Sequence, residues 1–136
     1  MEKKNFCYTV FYIVGKFDPD KAIELLGVPA HRIYRSNDTT RGGFCRGEAI
    51  LEIGKCDDET PYIYKQMEKT ISTLSGKTEI LKKIREENDV KFYLSVVPEI
   101  YSSGVHPCLS PSLAVIDFCH ETRTELDIDL YILDEI

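Results

Sequence analysis

Two carboxylates, Asp127 and Asp129, stand at alternate positions in a stretch whose apolar residues alternate as well, Leu126, Ile128, Leu130 and Ile132. On a β-strand that spacing puts both acids on one side, at about 6.5 to 7 Å between alpha carbons. Carboxylates so separated have the chemistry to hold a cation or to divide acid and base roles. Neither a histidine nor a third acid accompanies them at a ligand spacing. A solvated strand face, where charge discourages unwanted pairing, therefore explains them better than a catalytic pair. Tyr131 falls on the same side, and Asp134 and Glu135 extend the acidic end. Asp127, Asp129 and Tyr131 are thus the candidate partner-binding residues.

The opposite charge gathers earlier in the chain. Arg32, Arg35, Arg41 and Arg46 are four of the six arginines, with Asp38 the only acid among them, in a segment that reads largely as loop. Guanidinium forks on such a loop can grip a phosphate or a carboxylate, so residues 31–46 are the alternative, an anion-binding segment. Arg41-Gly42-Gly43-Phe44 has the form of a nucleic-acid-binding RGG segment. One copy in an acidic protein is a weak signal, and a solvated loop accounts for it.

Other patterns fail on spacing. Ser75-Gly76-Lys77-Thr78 copies the tail of a phosphate-binding P-loop, but that motif needs a glycine where Ile71 stands and a strand before the loop. His31, His106, Cys108 and His120 match no common zinc pattern. GxSxG, HExxH and GxGxxG are absent. No catalytic residue, metal ligand or cofactor is predicted, and a noncatalytic protein is favoured.

The elements that must position these residues follow from periodicity. Residues 5–14 carry Phe6, Tyr8, Val10, Tyr12 and Val14 on one side and Cys7, Phe11 and Ile13 on the other, an interior strand. Asp18 caps a short helix with Pro19 at its first position and Gly27 as its stop. Residues 31–34 and 48–53 are strands around the arginine loop. Thr60-Pro61 opens a helix with the stripe Ile63, Met67, Ile71 and Leu74, and Thr78 caps its continuation. Residues 90–97 are a strand, 98–109 a loop. Ser110-Pro111 starts a helix with Leu113, Ile116 and Phe118 inward, and the last strand follows. The order β-α-β-β-α-β-α-β predicts one domain, 1–136, of the α+β class. It is expected to form a single mixed or mostly antiparallel sheet with helices on one face, a ferredoxin-like core with an added helix and strand.

Composition excludes some partners. The net charge of -6 argues against nucleic acid and anionic membrane and suits a basic protein partner. No stretch approaches the roughly 18 apolar residues of a membrane span. The lysines before the first apolar run are followed by no small-residue cleavage site, so that run reads as folded protein. Five cysteines, Cys7, Cys45, Cys56, Cys108 and Cys119, with no CxxC spacing, fit reduced thiols in a cytoplasm. Each reads first as a small apolar residue.

Phe17 onward through Leu26-Gly27-Val28-Pro29, together with the helix-to-strand ending Asp127-Ile128-Asp129-Leu130-Tyr131, resembles the bacterial domain-of-unknown-function family 4279 over nearly the whole chain. That family often has a tryptophan in the strand represented here by 48–53, and this chain has none. The resemblance implies a small cytoplasmic bacterial α+β protein and brings no catalytic residues. Proteins of this kind are encountered as candidate immunity proteins of toxin systems. The expectation is a noncatalytic protein-binding domain, in its specific form an immunity-type inhibitor of a basic protein.

Overall fold

The computed structural model describes residues 4–134 apart from 41, 44, 45 and 103. Arg41, Phe44, Cys45 and Glu135, named above, lie outside the described residues.

The chain runs β1 (Phe6–Lys16), α1 (Pro19–Leu26), β2 (Arg32–Tyr34), β3 (Ala49–Cys56), α2 (Ile63–Ser72), α3 (Thr78–Glu87), β4 (Asp89–Tyr101), α4 (Leu113–Thr122), β5 (Glu125–Ile128) and β6 (Tyr131–Leu133). The sheet order is β2-β3-β1-β4-β5, with β6 also beside β4. The first four strands pair antiparallel throughout, which is the ferredoxin-like arrangement. The added strands run parallel to β4, so the sheet is mixed. As the sequence predicts, the fold is α+β with its helices on one face.

Local chemistry sets the boundaries. Asp18 accepts hydrogen bonds from the amides of Asp20 and Lys21, and Gly27 ends α1 in the left-handed region at φ 68°. Such a cap contributes about 1 kcal/mol. The predicted caps of the later helices shift. Thr60 turns the chain by accepting from the Tyr62 amide, and α2 starts without a side-chain cap. Lys77 rather than Thr78 precedes α3, while Ser112, two residues beyond the predicted position, caps α4 through the Val115 amide.

Phe11, Ile13, Leu51, Ile53, Phe92, Leu94 and Val96 line the covered face. Onto them α2 brings Ile63 and Met67, as its stripe predicts, Leu74 follows from the turn after α2, and α3 brings Leu81 and Ile84. The predicted inner side of α4 is corrected. Leu113 and Ile116 are exposed, and the helix instead buries Val115, with Phe118 edge-on to Phe11 at 6.0 Å between ring centroids. Rotated this way, α4 also buries Thr122, whose hydroxyl bonds the Phe118 carbonyl.

Two irregularities shape the sheet. Thr9 pairs with Cys56 but Phe11 with Ile53, so Gly54 and Lys55 together oppose Val10 in a bulge. At Gly54, φ 68°, a Cβ would lie 2.7 Å from the Thr73 hydroxyl, and this bare backbone lets Thr70 of α2 bond the Gly54 carbonyl at 2.7 Å.

The second irregularity lies at Pro98, where the expected loop does not begin. β4 continues to Tyr101. Parallel pairing runs from Tyr93–Glu125 to Val96–Ile128, breaks, and resumes in the same register at Glu99–Tyr131. The Asp129 amide donates to the Val96 carbonyl, so the returning bond of that ladder would come from the amide of residue 98, and Pro98 has none. One missing donor thus divides the predicted last strand into β5 and β6. That strand also fails to hold the sheet together as its alternation suggests: it is the outer edge, and Leu126, Ile128, Leu130 and Ile132 are 37 to 56% exposed.

Candidate functional site

Strand alternation leaves one face of the sheet without helices. Across the registers Arg32, Glu52, Tyr12, Tyr93 and Glu125 form one row, and Val10, Ser95 and Asp127 the next. Tyr8 and Val97 follow, level with Asp129, and then Phe6, Glu99 and Tyr131. Val10, Ser95 and Val97 form a sunken floor, at most 7% exposed although no helix lies over them. Taller neighbours shield them. Tyr12 stacks on Tyr93 with centroids 5.0 Å apart, and the Lys55 ammonium sits 4.7 Å from the centre of the Tyr8 ring.

The predicted contact residues meet here. The Tyr131 hydroxyl donates to the Asp129 carboxylate at 3.0 Å, and that bond, ahead of the carboxylate's charge, holds the phenol above its ordinary pKa. Burial followed by Asp127 and other neighbouring groups raises the Tyr12 phenol. Burial followed by Glu52, Asp129 and Glu99 raises Tyr8, with Arg32 opposing. All three hydroxyls stay protonated at neutral pH and remain donors.

Charge on this face is divided between its two ends. Glu99, Glu125, Asp127 and Asp129 gather toward β5, whereas Arg32, Arg46 and Lys55 belong to the β2–β3 end, where Glu52 is the acid among them. The predicted anion-binding arginines are only partly brought together. Arg35 is committed to Asp20 through bonds of 2.7 and 2.8 Å. Arg32 donates to the Tyr34 hydroxyl at 2.9 Å and lies 3.8 Å from Glu52. Arg46 stacks over the Tyr34 ring at 4.3 Å, its Nε buried with no hydrogen-bond partner among the described residues.

A cleft of about 350 Å³ opens beside Asn5, Cys7, Asp58, Glu59, Ile63 and Gln66. Gln66 spends its amide on the Cys7 and Asp58 carbonyls and on the Thr9 hydroxyl, and Asp58 pairs with Lys69. Burial pushes the Cys7 thiol up to about 11, and the Cys119 thiol likewise to about 11, so neither is a nucleophile at neutral pH. Cys108 is exposed and bridges backbone to backbone with the start of α2. Among the described residues no group of three or more His, Cys, Asp or Glu is arranged to hold a metal ion.

Sequence reasoning missed Tyr8, Tyr12, Tyr93 and Lys55. The tyrosines at alternate positions of β1 were a signal, but apolar residues on both faces made that strand read as core on either side. Their meeting with Tyr93 depends on the β1–β4 register, which no local pattern encodes.

Fold and surface together define a ferredoxin-like α+β domain with an added helix and edge strands, covered on one face and open on the other. A family model described as Domain of unknown function (DUF4279) matches residues 5–133, and the chain belongs to that family. No curated protein and no solved structure matches it. Among the described residues no helix is long and apolar enough to cross a membrane.

Proposed function

We propose that this is a noncatalytic protein-binding domain that meets a basic protein partner through the acidic end of its open sheet face, acting in the manner of an immunity-type inhibitor in the cytoplasm. The observation that carries the reading is the convergence of Asp127, Asp129 and Tyr131 with Glu99 and the Tyr8 and Tyr12 phenols on one surface. Rigid aromatic side chains provide contact area at low entropic cost, and the carboxylates steer a basic partner and speed encounter. Free Cys7, Cys56, Cys108 and Cys119 support the cytoplasmic setting.

The test is a low-salt pull-down from native host lysate with mass spectrometry, comparing wild type with an Asp127→Ala/Asp129→Ala variant. A basic protein held by wild type, released by salt and lost by the variant is the expected result. Equal recovery by both proteins overturns the reading.

A second reading rests on Arg32 and Arg46 meeting at Tyr34, with the Arg46 Nε unpaired: a small anion site at the other end of the face. Phosphate and nucleotides would then raise the melting temperature of wild type and leave that of Arg46→Ala unchanged. A wild type unmoved by any of them removes this alternative.

A further inference from the structure

We infer that the partner binds by adding an extended strand, with basic and aliphatic residues alternating, to the outer edge of β5. This rests on the proposed protein-binding reading and specifies how the acidic end is used. β5 closes the sheet order, and no described strand lies beyond it. The Asp129 amide points inward to Val96, so by strand alternation the Leu126 and Ile128 backbone groups point outward along the free edge. The two sides of that edge differ in chemistry. Glu125 and Asp127 share the open face with Tyr93 and Ser95, whereas Leu126 shares the row of buried Leu94 yet remains 37% exposed, and Ile128 continues that apolar side at 42%. An added strand would therefore meet acids at alternate positions on one side and aliphatic side chains on the other.

The same charges select against a second copy of this chain. Two-fold antiparallel pairing centred on Leu126 sets Glu125 against Asp127, and centred on Asp127 it sets Glu125 against Asp129. Centring on Ile128 sets Asp127 against Asp129, and centring on Asp129 sets that acid against itself. Like charges directly opposite destabilise a pair, while Lys or Arg at those positions stabilises it. The opposite edge of the sheet offers no comparable template. β2 spans only Arg32–Tyr34, and its Arg32 is engaged with Tyr34 and Glu52.

The experiment measures binding of labelled peptides by fluorescence anisotropy at low salt. The probes are alternating lysine–valine, the same composition in two blocks, and alternating glutamate–valine. Wild type is expected to prefer the alternating basic peptide over the blocked one by about tenfold. An Asp127→Lys/Asp129→Lys variant should prefer the alternating acidic peptide. Ile128→Pro removes an outward amide and leaves the β4–β5 ladder and all charges in place, and should weaken the alternating basic peptide by about tenfold. Circular dichroism and melting confirm that it is folded; if it is not, the charge-reversed variant decides the outcome. Equal binding of blocked and alternating peptides, or undiminished binding by folded Ile128→Pro, overturns strand addition while leaving charge-driven docking on the face intact. Binding indifferent to Asp127 and Asp129 removes both. A wild-type dimer by native mass spectrometry that dissociates in Ile128→Pro makes the edge a self-association site and overturns the inference.

Discussion

Gln66 offers a sharp test of how the sheet is sealed beside the open face. β3 ends at Cys56, level with Thr9, so beyond that point no described strand neighbours β1 on that side. Gln66, 2% exposed on α2, takes the place of the missing strand. Its Nε2 donates to the Cys7 carbonyl at 2.8 Å and the Asp58 carbonyl at 2.9 Å, while its Oε1 accepts from the Thr9 hydroxyl at 3.1 Å. Gln66→Leu keeps the size and helix propensity and deletes all three bonds. Asp58 is exposed and its carbonyl can turn to water, but the Cys7 carbonyl is part-buried and the Thr9 hydroxyl is fully buried. Stranding those two groups costs about 1–3 kcal/mol each, and the apolar leucine returns about 1 kcal/mol. The net loss is about 3 kcal/mol of a total of about 5–15 kcal/mol. For a chain of this length that lowers the melting temperature by about 10 °C.

Urea titration with melting curves provides the measurement, and a double-mutant cycle with Thr9→Val sharpens it. In wild type, Thr9→Val removes the donor to Gln66 and destabilises. On the Gln66→Leu background it removes a stranded hydroxyl and should stabilise. A Gln66→Leu variant within about 0.5 kcal/mol of wild type, or a Thr9→Val effect of the same sign in both backgrounds, refutes the account.

Three further outcomes follow from packing and charge. Gly15→Ala should destabilise by more than about 2 kcal/mol in urea titration, because φ is +147° and the added Cβ would lie 2.2 Å from the Asp89 carbonyl oxygen. Val115→Ala should cost about 2 kcal/mol, whereas Leu113→Ala on the same helix should change stability by less than about 0.5 kcal/mol, since Val115 is buried and Leu113 is 78% exposed. On acidification at low salt, stability should fall. The Arg35 hydrogen bond depresses the folded-state pKa of Asp20 and the Lys69 hydrogen bond that of Asp58. Their contribution is present above the unfolded carboxylate pKa of about 3.9 and is lost as pH drops through the folded values. Salt should shrink this acid limb because both pairs are exposed. An acid limb unaffected by Asp20→Asn or Asp58→Asn would exclude these pairs as its source.

Where local chemistry decides the structure, the sequence was readable. Asp18, Pro19 and Gly27 bound α1 as their types require, and the stripe of Ile63, Met67 and Leu74 faces the core. The order of early elements was enough to anticipate the ferredoxin-like sheet. Features set by neighbours distant in sequence were not readable. Proline ends a strand by rule, yet β4 passes through Pro98 because its missing amide faces the added strands rather than β1. In α4, Val115 and Ile116 are equally apolar, and only docking against Phe11 selects which is buried. Asp127, Asp129 and Tyr131 could be grouped from alternation alone. The tyrosines they meet come from β1 and β4, and only the assembled sheet joins them.

The interruption at Pro98 has a consequence for motion. β5 follows directly from the buried Thr122 and Thr124 at the end of α4, whose hydroxyls lie 2.6 Å apart, whereas Tyr131 and Ile132 of β6 are 48 and 56% exposed. With the ladder cut between them, the two strands are expected to open as separate units, β6 before β5. Amide exchange should therefore be faster at Leu133 than at Asp127, both of which face β4, with different denaturant dependence. Among the described residues the side-chain bond across the cut runs from Tyr131 to Asp129 and ties β6 to the end of β5. If exchange divides in that way, the acidic surface has an anchored half and a half that rearranges, within a few residues of each other.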